Sequence, residues 1–129
     1  MRTVVVLIAH GSRVPEASVA HRAVCGQLQR KIGDEVVDET TIEPAFLELN
    51  DPDIPTAIDR AVSSGAERVL VLPYFLHPGN HTLRDIPEAI EAARARHPAI
   101  AIQQAAVFGA DPSLVSTLAD QVHNALSAS

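Results

Sequence analysis

Cysteine occurs once in this 129-residue chain, at Cys25, tryptophan is absent, and the other aromatics are one tyrosine and three phenylalanines. A single cysteine excludes an internal disulfide and any Cys-x-x-Cys zinc motif. Beside Val24 and Leu28 in a helical stretch, Cys25 reads as a small hydrophobe of a packed face, not a reactive thiol. So few aromatics cannot build a base-stacking platform for single-stranded nucleic acid. Basic residues are also scarce: ten Lys and Arg stand against sixteen Asp and Glu, the formal net charge is −6, and no basic block occurs. That balance argues against nucleic acid or an anionic membrane as partner. An acidic small molecule would need local cations such as Arg13 or Arg84. No apolar run approaches the roughly 20 residues that span a bilayer. The apolar start is too short for a signal peptide and lacks a small-residue cleavage pattern, so a cytoplasmic protein is expected.

What the chain does have is a 47% hydrophobic composition and enough length for one domain, 1–129, with a real core. Short apolar runs alternate with longer amphipathic stretches, the signature of βαβ units. Strands are expected over 3–9, about 40–47, about 67–74 and 100–107. Pro44 marks the second as an edge strand. Helices are expected over roughly 15–32, with a stripe of Val19, Val24, Leu28 and Ile32, and from about 54 to 64. Two more follow, from about 83 to 96, and after Asp111-Pro112-Ser113 with Leu114, Leu118, Val122 and Leu126 on one face. Asn50-Asp51-Pro52-Asp53 reads as the turn capping the second helix, with Pro55 in its first turn. Gly33 sits where a helix C-cap glycine belongs. The order predicts an α/β fold: an open, doubly wound, parallel four-stranded sheet flanked by helices.

Two of the apolar strands run directly into histidines. Val4-Val5-Val6-Leu7-Ile8-Ala9 leads to His10-Gly11-Ser12-Arg13, and Val69-Leu70-Val71-Leu72-Pro73-Tyr74-Phe75-Leu76 leads to His77-Pro78-Gly79-Asn80-His81. Ligands of open α/β sheets bind outside the carboxyl ends of the strands, where these histidines fall. His77 and His81 would share a helix face, but Pro78 and Gly79 oppose a helix there. His81, just before the third helix, is therefore the better-placed ring, and His77 is expected as an exposed loop residue. Glu48 follows Ala45-Phe46-Leu47 at the end of the second strand. Two histidines and one carboxylate can hold a divalent transition metal with coordination positions left open. Gly11 and Ser12 can form an anion-binding turn at the first helix. The Walker spacing, the Gly-x-Ser-x-Gly elbow, the zincin glutamate and the Arg-His-Gly order of phosphohistidine enzymes are all missing. His21, His97 and His123 lie in or beside amphipathic helices and are expected at the surface.

Ala9-His10-Gly11-Ser12-Arg13, Ala45-Phe46-Leu47-Glu48-Leu49, Pro73 to His81 and Asp85-Ile86-Pro87 together resemble the sirohydrochlorin chelatases of the CbiX/SirB type, in order and spacing over most of the chain. The resemblance implies a class II chelatase that inserts cobalt, iron or nickel into sirohydrochlorin without ATP, in cobalamin, sirohaem or nickel-tetrapyrrole synthesis. The divalent metal is then a substrate, and no prosthetic group is implied. By position, His10 and His81 carry over as the metal-binding, catalytic histidines and Glu48 as their acidic partner. Ser12, Arg13, Tyr74 and Arg84 are candidate substrate contacts, the arginines for peripheral carboxylates and Tyr74, with Phe75, for the macrocycle, where core packing is the alternative. The family's fold pairs two such domains around one cleft, so this short form implies a homodimer. A non-catalytic metal or tetrapyrrole carrier on the same half-domain is the competing expectation.

Overall fold

The computed structural model describes residues 1–33 and 39–128, and the side chains of all of these except 80–83. Among them are four strands: β1 (Thr3–Ala9), β2 (Thr40–Phe46), β3 (Arg68–Pro73) and β4 (Ala101–Gln104). The helices are α1 (Pro15–Gly33), α2 (Ile54–Ser63), α3 (Asn80–Arg96) and α4 (Ser113–Ser127), with a short 3-10 turn at Phe108–Ala110. Every strand pair is parallel and the sheet order is β2-β1-β3-β4. The expected α/β sheet is therefore present, although β4 is only four residues long and α3 begins at Asn80, earlier than the sequence suggests.

β1 is central because both of its faces are apolar. Val4, Val6 and Ile8 point to one core with Ile54, Ala57, Ile58 and Ala61 of α2 and Ile86, Ile90 and Ala93 of α3. Val5 and Leu7 point to the other, with Cys25, Val24, Leu28 and Ile32 of α1. Each fully buried aliphatic side chain is worth about 1.5–3 kcal/mol. Val19 of the expected α1 stripe is 66% exposed and joins neither core. Gly33 is the last residue of α1 rather than a separate cap.

The edges of the sheet are closed by side chains. On β2, the Gln29 amide of α1 donates to the Thr40 carbonyl at 2.8 Å and accepts the Ile42 N–H at 2.7 Å, imitating a neighbouring strand. Pro44 removes the next donor, and Phe46 N–H bonds the Pro52 carbonyl at 3.0 Å. Such blocking prevents edge-to-edge pairing. On β4, Arg94 of α3 donates twice to the Ile102 carbonyl, at 3.0 and 2.8 Å.

Asp53 caps α2 as expected, accepting the Thr56 N–H at 2.9 Å, and the bonds from Thr56 hold its carboxyl below the usual range. α4 departs from a buried amphipathic helix. Of its expected stripe Leu114 is half-buried, but Leu118, Val122 and Leu126 are 56–69% exposed and Val115 beside them 70%, so most of its apolar stripe is uncovered. No helix among the described residues is long and apolar enough to cross a membrane.

Candidate metal and substrate site

Chain reversal fixes where a ligand can bind. From β1 the chain goes to β2 on one side and then to β3 on the other, so the crevice at the carboxyl ends of β1 and β3 is the topological switch point. His10 is the first residue beyond β1, and its exposed ring meets the Phe75 ring edge-on, with centroids 6.2 Å apart.

Hydrogen bonding between the β1 and β2 chains continues beyond the strands into this crevice. Leu47 N–H bonds the Ala9 carbonyl at 3.0 Å, Glu48 N–H bonds the His10 carbonyl at 3.2 Å, and Ser12 N–H bonds Asn50 Oδ1 at 2.8 Å. Gly11 lies in this seam with φ +103, and a Cβ there would fall 1.8 Å from the Glu48 carbonyl oxygen. Only glycine allows both that angle and that approach. The result is that His10 Nε2 stands 3.5 Å from Glu48 Oε1, with both side chains more than half exposed. Such a pair can hold part of a metal's coordination shell and can accept protons.

The other expected site residues fall as follows. Ser12 is half-buried, and its Oγ accepts the Val14 N–H at 3.0 Å. With its own N–H given to Asn50, the expected anion-binding turn has these donors already committed. Arg13 and Arg84 are exposed. Tyr74 is half-buried, stacked on His21 at 6.0 Å and edge-on to Phe108 at 5.0 Å. His77 is exposed in the β3–α3 loop. The backbone puts His81 inside the first turn of α3 rather than before it, and its side chain lies outside the described residues. Among the described residues no three His, Cys, Asp or Glu side chains converge, so His10 and Glu48 are a pair.

His21 corrects the sequence reading. It is buried, not at the surface, because α1 turns that face onto the end of β1. Its Nε2–H donates to the Leu7 carbonyl at 2.9 Å, Phe46 packs edge-on at 5.2 Å, and Nδ1 has no hydrogen-bond partner among the described residues. Burial lowers its pKa, outweighing the Leu7 bond that raises it. His97 is also only partly exposed and bonds Asp59 Oδ1 at 2.7 Å, tying α3 to α2, whereas His123 is exposed as expected. Asn50 escaped the sequence reading as a site residue, since its position in a turn-forming run signalled only a loop.

A cavity of about 210 Å³ opens beside His10, bounded by Ser12, Ser18, Phe46 and Asn50. A larger one of about 300 Å³, lined by Arg2, Arg22 and Arg60 with Glu43, shares no lining residue with it.

The CbiX family matches residues 4–125, nearly the whole chain. The chain belongs to the CbiX family. Among its relatives, a sirohydrochlorin cobaltochelatase of Methanococcus maripaludis is 40% identical over 66% of this chain and 56% of its own length. The chloroplastic sirohydrochlorin ferrochelatase of Arabidopsis thaliana is 32% identical over 95% of this chain and 52% of its own. The chain thus spans about half the length of the curated relatives it matches. The sirohydrochlorin chelatase SirB from Bacillus subtilis subspecies spizizenii, solved in complex with cobalt, superposes with a TM-score of 0.75 at 28% identity, over 96% of this chain and 51% of that one. A Marinobacter aquaeolei VT8 structure assigned to CbiX of cobalamin biosynthesis matches end to end, covering 100% of both chains, with a TM-score of 0.75 and 27% identity.

Proposed function

We propose that this CbiX-family chain inserts a divalent metal (cobalt, iron or nickel) into sirohydrochlorin without ATP, with His10, Glu48 and His81 as the metal-binding set. The observation that carries the reading is the 3.5 Å approach of His10 to Glu48 at the switch point of a CbiX-family sheet. Insertion needs a site that holds the ion loosely, exchanges ligands for pyrrole nitrogens and accepts two protons. Neutral imidazole suits these metals and can also act as a base. His10 is assigned as ligand and base, Glu48 and His81 as co-ligands. The exposed side chains of both acid and base leave room for a large, flat substrate. Arg13 and Arg84 are assigned to its peripheral carboxylates, Ser12 to a polar contact at the seam, and Tyr74 to the macrocycle's edge.

The assembly proposed is a homodimer. This chain matches only about half the length of its longer relatives, and a second copy of it would supply a second lobe while covering the apolar stripe of α4. The test mixes the protein with sirohydrochlorin and Co²⁺, without ATP, and follows the absorbance change on metalation. Catalysis above the spontaneous rate is expected. Metal binding with a rate equal to the control would leave the carrier reading in its place.

A further inference from the structure

Leu49 has φ +68, a left-handed angle that a bulky residue seldom adopts. Across it, the Asn50 N–H donates to the Glu48 carbonyl at 2.8 Å, forming a three-residue γ-turn of the strained kind. The Leu49 side chain is 56% exposed, so core packing does not hold this conformation. The restraint comes from the opposite loop. Asn50 Oδ1 accepts the Ser12 N–H at 2.8 Å, and the Gly11 backbone abuts the Glu48 carbonyl. Among the described residues this is the one side-chain hydrogen bond across the seam between residues 9–12 and 47–50.

We propose that Asn50 is a positioning residue for metal capture: by tying the γ-turn to Ser12, it holds the Glu48 carboxylate beside the His10 ring before the ion arrives. The proposal rests on the metal-binding reading of that pair. Because His10 and Glu48 are 55% and 61% exposed, little packing orders their side chains, and the backbone seam is their source of pre-organisation. A loop freed from Ser12 would have to be ordered on binding, which weakens affinity.

Titration of the full chain with Co²⁺ alone, followed by ligand-field absorbance, reads this without turnover. N50A is expected to bind Co²⁺ about tenfold more weakly, the range seen when outer-shell partners are removed. N50D, whose carboxylate can accept the same Ser12 N–H, should match or exceed the wild type. G11A, which adds no charge, should weaken binding as N50A does, because its Cβ displaces the Glu48 carbonyl. A purely structural role would lower the melting temperature of N50A and leave Co²⁺ affinity at the wild-type value; that result overturns the proposal. H10A and E48A serve as controls. If they retain wild-type affinity, the metal reading itself fails and the positioning role with it. If they lose it while N50A and G11A do not, the positioning role alone is rejected. Should N50A not fold, N50S, with a hydroxyl too short to reach Ser12, takes its place with the same expected loss.

Discussion

His10 and Glu48 face each other because the chain leaves the alternation of β1 and β2 just past their last paired residues. Ala9 pairs with Phe46 and the Leu47 N–H still bonds the Ala9 carbonyl, but the next N–H, that of Glu48, turns to the His10 carbonyl, which brings Glu48 to His10 where the register would have placed Leu47. The 3.5 Å gap between Nε2 and Oε1 is thus set by main chain, while the side chains remain open to an incoming ion and macrocycle.

Substitutions at this pair should separate chemistry from folding. Neither side chain is buried, so H10A and E48A should melt as the wild type does, within about 0.5 kcal/mol. Losing a base and ligand should lower kcat/KM for cobalt insertion about 100-fold or more in H10A. H81A should behave alike, and H77A should stay within about twofold. Steady-state metalation assays decide this, and full activity in an H10A/H81A double variant would sink the assignment.

His21 should make stability depend on pH. Burial depresses its folded pKa below the ordinary imidazole value of 6.5. The unfolded chain therefore binds more protons between the folded value and 6.5, so stability is complete above that window and falls as pH drops through it. Thermal melts between about pH 8 and about pH 5 should show the loss, to which Asp and Glu contribute only at the acid end. H21Q keeps a donor for the Leu7 carbonyl but cannot ionise there. A variant whose melting curve follows pH as steeply as the wild type would refute the role given to the buried ring.

Most of this arrangement is legible in the sequence, for physical reasons. The unbroken apolar run of β1 suits a strand buried on both faces, and that places His10 at the sheet edge. Pro44 marks an edge strand because it lacks an N–H. What stays hidden depends on contacts distant in sequence. Nothing near His21 says that its helix face meets Phe46 and Tyr74. Asn50 reads as any turn former until Ser12 is found opposite it. The stripe of α4 has helical periodicity, which announces an apolar face but not what covers it.

Gly109 should tolerate no side chain. Its N–H bonds the Phe75 carbonyl at 2.8 Å, and a Cβ would sit 1.6 Å from the Leu76 carbonyl oxygen. G109A must push the Phe108–Ala110 turn off the loop that follows β3, at a cost of about 1–3 kcal/mol. Gly79, where no atom of the described residues lies within 4 Å of such a Cβ, is the control. Urea unfolding should show a clear loss for G109A and almost none for G79A. Equal midpoints would mean that the turn is not packed as described.

The apolar face of α4 should be where two copies meet. Leu118 and Val122 are 59% and 56% exposed, so L118E and V122E should leave the monomer's own stability within about 0.5 kcal/mol. A helix of this length presents a stripe about 22 Å long, which can pair with its own copy across a twofold axis. Light scattering of the wild type should give twice the chain mass, and that of the L118E/V122E variant the mass of one chain. Activity should fall with the dimer if the partner completes the cleft. A wild-type monomer at working concentration, active in metal insertion, would show that one lobe suffices and that α4 serves another contact.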